Sequence, residues 1–268
     1  MDTVLSYMFS LVVLYSVFIN SCYGINFNLF NVSKTFNEQQ WQTATITWYG
    51  PPNGARLDGG NCGYGDSVET PPFSKMISAG GPSIFQGGSG CGACYQVRCT
   101  ENAACSQNPL IVVITDNCPR CTGSSSFDLS DTAFRALASQ GKADQLRNVG
   151  KLSKAQYKRV SCNFGKSIAF TIDSGSNPYY FAIEIEYESG DGNLVEIALK
   201  QKGSNTWIPM FRSWGARWAL NPGSPLKPPF SIKLTEAGEG KKKKSIMAGN
   251  VIPNNWQPGQ VYKSLFNF

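Results

Sequence analysis

Apolar and polar positions alternate in short runs along this chain, and turn residues separate the runs instead of letting them join into helical periods. Residues 43–49 (Thr-Ala-Thr-Ile-Thr-Trp-Tyr) are β-branched and aromatic and predict a strand, which Gly50-Pro51-Pro52-Asn53-Gly54 stops. Residues 95–98 alternate and predict a second strand. The continuous apolar run 110–114 predicts a fully buried strand, and it ends in Thr115-Asp116. Ser130 can cap a helix from Asp131 to about Ser139, with Gly141 just past its end. Residues 156–162 return as a strand. Further on, Phe181, Ile183, Ile185 and Tyr187 share one face of a strand. Tyr180, Ala182, Glu184, Glu186 and Glu188 share the other, which alternation places outward. Ser189-Gly190-Asp191-Gly192-Asn193 reads as a hairpin turn into residues 194–200, with Val195, Ile197 and Leu199 inward. Phe230, Ile232 and Leu234 alternate with Ser231, Lys233 and Thr235. Several short alternating strands in this half predict a β-sandwich, and the chain as a whole is mostly β.

The ends and the cysteines divide the chain. An apolar stretch from Met8 to Ile19, followed by Cys22-Tyr23-Gly24, predicts a secretory signal peptide over residues 1–24. The stretch is short for a membrane span and no other stretch is long enough, so the expectation is secretion without stable membrane association. Residues 25–41 read as a loose leader, in which Asn31-Val32-Ser33 is an N-glycosylation acceptor. Loss of Cys22 with the signal peptide leaves an even set: Cys62, Cys91, Cys94, Cys99, Cys105, Cys118, Cys121 and Cys162. In a secreted chain these read as disulfides, with many connectivities open. All lie before residue 163. That break predicts one domain over 42–162, a linker at 163–166 and a second domain over 167–268.

The formal charge of +6 points a secreted protein toward acidic polysaccharide; secretion itself argues against nucleic acid. The basic turn at 240–244 reads as a solvated loop tip. The chain has no histidine, which removes Ser-His and Cys-His triads and the commonest metal ligand. Cys91-Gly92-Ala93-Cys94 and Cys118-Pro119-Arg120-Cys121 have the look of a zinc pair, but an oxidising compartment favours disulfides, so no metal or cofactor is expected. Carboxylates remain. Asp128, between Phe127 and Leu129, invites partial desolvation and a raised pKa, with Asp116 and Asp58 as possible partners. Tyr180 and Trp214 fall on polar faces, where flat rings can stack on sugars.

At these residues the chain resembles the expansins, most closely the β-expansins of plants. The matching stretches are Thr47-Trp48-Tyr49-Gly50, Gly59-Gly60-Asn61-Cys62-Gly63-Tyr64, Gly90-Cys91-Gly92-Ala93-Cys94-Tyr95, Thr115-Asp116 and Phe127-Asp128-Leu129-Ser130. Gly175-Ser176-Asn177-Pro178, Ser213-Trp214-Gly215-Ala216, Pro229-Phe230-Ser231 and Val251-Ile252-Pro253 match in the second half. The resemblance implies a six-stranded double-psi β-barrel followed by an immunoglobulin-like β-sandwich that binds cellulose. It implies Cys62–Cys91, Cys94–Cys162 and Cys99–Cys105, which leaves Cys118 and Cys121 for each other. It also implies a groove lined by Thr47, Trp48, Tyr49, Asp58, Asp116 and Asp128 in the barrel and by Tyr180 and Trp214 in the sandwich.

The implied barrel is similar to that of family-45 endoglucanases. Their general acid matches Asp128, but Pro51 stands where they carry the base, and proline accepts no proton. The resemblance therefore implies a monomeric wall protein that loosens non-covalent contacts between cellulose and matrix glycans of the xylan type without hydrolysis. One departure is Ser126, where the family usually has histidine. Two other readings compete. One is a weak endoglucanase using Asp128 with Asp58 or Asp116. The other is a carbohydrate-binding, allergen-like wall protein without loosening activity.

Overall fold

The protein's structure, a computed structural model, describes residues 40–54, 60–121, 123, 125–237 and 242–268. The expected signal peptide, most of the leader with Asn31, and Asp58 lie outside the described residues.

The first half is a closed barrel. Its strands are β1 (Gln42–Tyr49), β2 (Ile77–Gly80), β3 (Cys94–Arg98), β4 (Leu110–Asn117), β5 (Ser126–Ser130) and β6 (Leu152–Val160), in the order β1-β5-β2-β4-β3-β6. β1 runs parallel to β5, and β2 parallel to β4; the other neighbours are antiparallel. Alternation sends Ala44 and Ile46 of β1 inward to meet Val112, Ile114, Phe127, Leu129, Phe134 and Tyr157. Among the described residues three short α-helices accompany the strands: α1 (Pro82–Phe85), α2 (Asp131–Ala136) and α3 (Ala143–Val149).

Several expectations change here. Run 110–114 is not buried on both faces, since Ile111 is 48% exposed at the rim while Val113, on the same face, is buried further along. The helix after Ser130 is capped as expected, with the Ala133 amide donating to the Ser130 hydroxyl at 3.1 Å, but it stops at Ala136. The Cys99–Cys105 loop takes over the backbone there: Ala138 bridges to Cys105, and the Ser139 amide donates to the Ala104 carbonyl at 2.8 Å. The last barrel strand starts at Leu152 and ends at Val160, earlier than 156–162, and Cys162 instead pairs with Gly190. The disulfides formed are Cys62–Cys91, Cys94–Cys162, Cys99–Cys105 and Cys118–Cys121.

The second half contains β7 (Ala169–Ile172), β8 (Phe181–Glu186), β9 (Leu194–Lys200), β10 (Ile208–Trp214), β11 (Arg217–Leu220), β12 (Phe230–Glu236), β13 (Lys244–Ile252) and β14 (Val261–Lys263). Their order is β13-β12-β9-β10-β11-β8-β7-β14. The start of β10 pairs with β9 and its end with β11, so the sheet folds over at Met210-Phe211 into two layers. Between the layers lie Phe170, Phe181, Ile183, Ile197, Leu199, Trp218, Phe230, Ile232 and Leu234.

Two pattern-based expectations fail in this half for identifiable reasons. Residues 189–193 do not make a hairpin. β8 bonds to β7 and β11, β9 bonds to β10 and β12, and the turn crosses between layers. Gly190 exchanges both backbone bonds with Cys162, which ties the turn to the barrel. Val195 is exposed and Leu194 takes the core position, because the β9–β12 register shifts between Thr235 and Glu236.

The face of β8 that carries Glu184 and Glu186 is buried as well, because the barrel covers it. The Ser67 hydroxyl donates to Glu186 Oε1 at 2.7 Å, and Phe73 packs on Tyr187 and Phe164. The Ala216 amide donates to the Cys62 carbonyl at 3.1 Å, and Arg212 donates to the Gly88 carbonyl at 3.3 Å. Gly215 allows this approach. Its φ is +51°, and a Cβ there would sit 2.4 Å from the Asn61 carbonyl oxygen and 2.7 Å from that of Cys62. Gly215→Ala is therefore expected to cost about 3 kcal/mol in urea unfolding, from overlap plus the left-handed backbone.

Candidate functional site

Strand register assembles a polar row on the outside of the barrel. Thr47 of β1 faces Asp128 of β5, Asp128 faces Ala79 of β2, and Ala79 faces Asp116 of β4. Thr47 and Asp128 lie on the faces opposite Ile46 and Phe127, so the strands that fill the core also present this row. The Thr47 hydroxyl donates to Asp128 Oδ1 at 2.5 Å. Ser78, behind the row, donates to the Asp128 carbonyl at 3.1 Å and fixes the strand. Partial burial raises the pKa of the Asp128 carboxyl. The negative charge of Asp116 pushes the same way, and the bond from Thr47 opposes them. Asp128 is thus easier to protonate than an ordinary aspartate, and its protonated form can offer a hydrogen bond to a sugar oxygen.

Asp116 is engaged differently. Its Oδ1 accepts from the backbone amides of Asn61 and Asn117, each at 2.7 Å. Gly60 packs directly against it, with φ +59°, and a Cβ there would lie 2.3 Å from the Asp116 Cγ. Asp116 therefore anchors the 60–62 turn beside the row. Pro51 follows the end of β1 and is exposed; the Gly54 amide donates to its carbonyl at 3.1 Å, and no acid occupies residues 50–54.

The remaining candidates divide. Tyr49 shares the face of Thr47 and faces Ser130 in register. Trp48 is on the opposite face, packed against the barrel core. Its ring carries the Arg147 guanidinium at 3.9 Å, and its Nε1 donates to the Arg147 carbonyl at 3.2 Å. Trp48 thus stands apart from the Thr47–Asp128 row. Ser126 shares the face of Asp128 but is buried, its hydroxyl donating to the Gly123 carbonyl at 2.8 Å.

In the second half Trp214 is 43% exposed. The Arg217 guanidinium lies 4.6 Å from its ring centroid, and a side chain at Gly63 of the barrel would meet its ring at 2.9 Å. The exposed indole therefore sits where the two halves meet. Tyr180 is half-buried just before β8, where it bridges to Asn177, and its neighbour Tyr179 is 61% exposed.

Sequence reasoning missed the groups that hold these side chains. Arg217 pairs with Asp173 and with Glu184 Oε2 at 3.1 Å while stacking on Trp214. The signal was Gly215, since a glycine between Trp214 and Arg217 marks a tight turn that brings them face to face. Asp131, which the sequence marks only as the start of a helix, is fully buried. It accepts from the Asn53 amide at 2.7 Å and from Arg147, and so fixes the 50–54 turn at the end of β1.

Comparison with known proteins agrees with this fold. Residues 168–253 match a family model described as the expansin C-terminal domain, and residues 77–150 one described as lytic transglycolase. Putative expansin-B2 of Arabidopsis thaliana is 53% identical over 89% of this chain and 88% of its own length. Expansin-B11 of Oryza sativa subsp. japonica is 50% identical over 85% of this chain and 78% of its own. The apo Clavibacter michiganensis expansin superposes with a TM-score of 0.64 at 19% identity, over 85% of this chain and 98% of that one. A point mutant of the same bacterial protein, solved in complex with cellohexaose, gives 0.63 at 19%, with the same coverage. Among the described residues no helix is long and apolar enough to cross a membrane. The chain belongs to the expansin family, in its β-expansin branch.

Proposed function

We propose that this protein loosens plant cell walls by disrupting non-covalent contacts between cellulose and matrix glycans, without cutting either. The observation that carries the reading is a raised-pKa carboxyl, Asp128, in a chain that has Pro51 where an inverting enzyme would carry its base. Inversion needs a second carboxylate at roughly 6.5–9.5 Å that activates water. Pro51 cannot serve, and the Asp116 oxygen that accepts from the Asn61 and Asn117 amides is already occupied. A protonated Asp128 beside the Thr47 hydroxyl competes instead for the hydrogen bonds between glycan chains. Secretion into the wall, with matrix glycans of the xylan type as partners, belongs to the same proposal. The cellohexaose complex of the bacterial relative supports cellulose as one polymer that the groove takes. The test is creep of isolated walls under load, run beside a sensitive reducing-sugar assay on cellulose and xylan. Creep without sugar release is expected, and steady release would overturn the reading.

The exposed ring of Trp214 supplies much of the binding on this view. Trp214→Ala is expected to weaken cellulose binding by roughly tenfold, the cost of losing one well-placed aromatic anchor. A depletion isotherm on microcrystalline cellulose measures it.

A second reading, weak endoglucanase activity, draws on the register that sets Asp116 and Asp128 on either side of β2, about 10 Å apart at Cα. The reducing-sugar assay separates it from the first.

A further inference from the structure

We propose that Glu188, Asp191 and Glu236 form a calcium site that fastens the turn at 188–193 to the end of β12, where the second domain meets the barrel. Each residue presents one carboxylate oxygen, and the three oxygens lie within 4.8 Å of one another. Glu188 is 7% exposed and Glu236 3%, so this is no solvated acidic edge. The Glu188 carboxylate reaches into the cluster, and its buried Oε1 has no hydrogen-bond partner. Carboxyls buried this deeply need a counter-charge or a proton, and without an ion Glu188 and Glu236 hydrogen-bond each other. Arg159 donates to the Asp191 carbonyl at 2.6 Å and attracts Glu188, and Lys244 attracts Glu236. Neither cation forms a salt bridge with Glu188 or Glu236 among the described residues.

Ligand chemistry favours calcium. The donor set is all oxygen, which favours a hard cation. Calcium takes six to eight oxygens at about 2.3–2.6 Å in a flexible shell and tolerates carboxylates fixed by the fold, whereas magnesium demands near-ideal octahedral geometry at about 2.1 Å and keeps much of its water. The turn is already shaped: the Asn193 amide donates to Asp191 Oδ1 at 2.8 Å, and the Asp191 amide to Glu236 Oε1 at 2.7 Å. The turn also abuts the barrel. Gly190 is bonded to Cys162, and a Cβ at Gly192 would lie 2.9 Å from the Ala93 Cα. A cation here would pin the piece of the second domain that touches the first.

The experiment is calorimetric titration of the chelator-treated full-length chain with calcium chloride at pH 7, paired with thermal unfolding. One calcium per chain and a raised Tm are expected, with magnesium at least tenfold weaker. Glu236→Gln and Glu188→Gln should each lower calcium affinity at least tenfold while circular dichroism stays native. Asp191→Asn keeps an acceptor for the Asn193 amide and serves as a third variant if either glutamine chain fails to fold. Terbium luminescence that calcium displaces, lost in the same variants, gives a second readout. The proposal is overturned if folded native protein shows neither heat nor Tm change at millimolar calcium. It is equally overturned if the double glutamine variant binds as well as the native chain, because the ion then sits elsewhere. Higher stability of Glu188→Gln combined with calcium indifference of the native chain would also sink it, since Glu188 and Glu236 then share only a proton.

Discussion

Asp128→Asn is expected to reduce acid-induced extension of isolated walls at least tenfold while leaving the fold intact. The amide keeps the shape of the side chain, and its oxygen can still accept from the Thr47 hydroxyl, so the β1–β5 row survives. What it loses is the titrating proton. Partial burial and the nearby Asp116 charge make the ionised form of Asp128 costly in the folded state. A neutral replacement therefore relieves that cost at neutral pH, and unfolding free energy should stay within about 1 kcal/mol of native or rise. Activity lost with stability kept separates a working group from a structural one. Creep that persists in Asp128→Asn would remove Asp128 from the mechanism. A native reducing-sugar signal that disappears in the variant would make the protein a hydrolase.

Stability should fall as pH rises through neutrality, and Glu184 should account for much of the fall. Burial under the barrel pushes its carboxyl up to about 7 from 4.5, against the opposing bond from Arg217; the charges of Glu186 and Asp173 add to the rise. Arg217 does not cancel the burial, because it also serves Asp173. The folded pKa lies above the unfolded one, so the native state binds more protons between the two. The contribution is complete below about 4.5 and is lost as pH rises through about 7. At about 1.4 kcal/mol per pH unit the loss is on the order of 3 kcal/mol. Glu184→Gln keeps an acceptor for Arg217 and should flatten the profile by that amount between pH 5 and 8 in urea unfolding. A slope unchanged by the substitution would move the origin of any pH dependence elsewhere.

The elements of the barrel site were legible in the sequence where local chemistry decides them. The β-branched run at 43–49 is a strand, and Ser130 caps a helix. Alternation on β1 also separates Thr47 from Trp48, although the resemblance grouped them. What stayed hidden depends on partners far along the chain. Glu184, Glu186 and Glu188 look like a solvent face because a period of two reports polarity and not what covers it; here another domain does. The turn at 189–193 has hairpin composition, yet Cys162 takes the backbone bonds of Gly190 and sends β9 to the other layer. Val195 and Leu194 trade places through a bulge whose register is set by β12. The roles of Arg147 and Arg217 appear only when Trp48 and Trp214 are seen beneath them.

The position of β1 in the barrel has a kinetic consequence. β1 is held between β5 and β6, so the hydrogen bonds that place Thr47 beside Asp128 join segments about eighty residues apart, and the seam closes only when residues 152–160 arrive. Such long-range pairing is slow, because loop entropy is lost before contacts compensate for it. A chain emerging from synthesis therefore contains every residue of the barrel row well before the barrel that assembles the row can close. Fragments ending before β6 should fold poorly and leave the edges of β1 and β3 open to pairing with other chains.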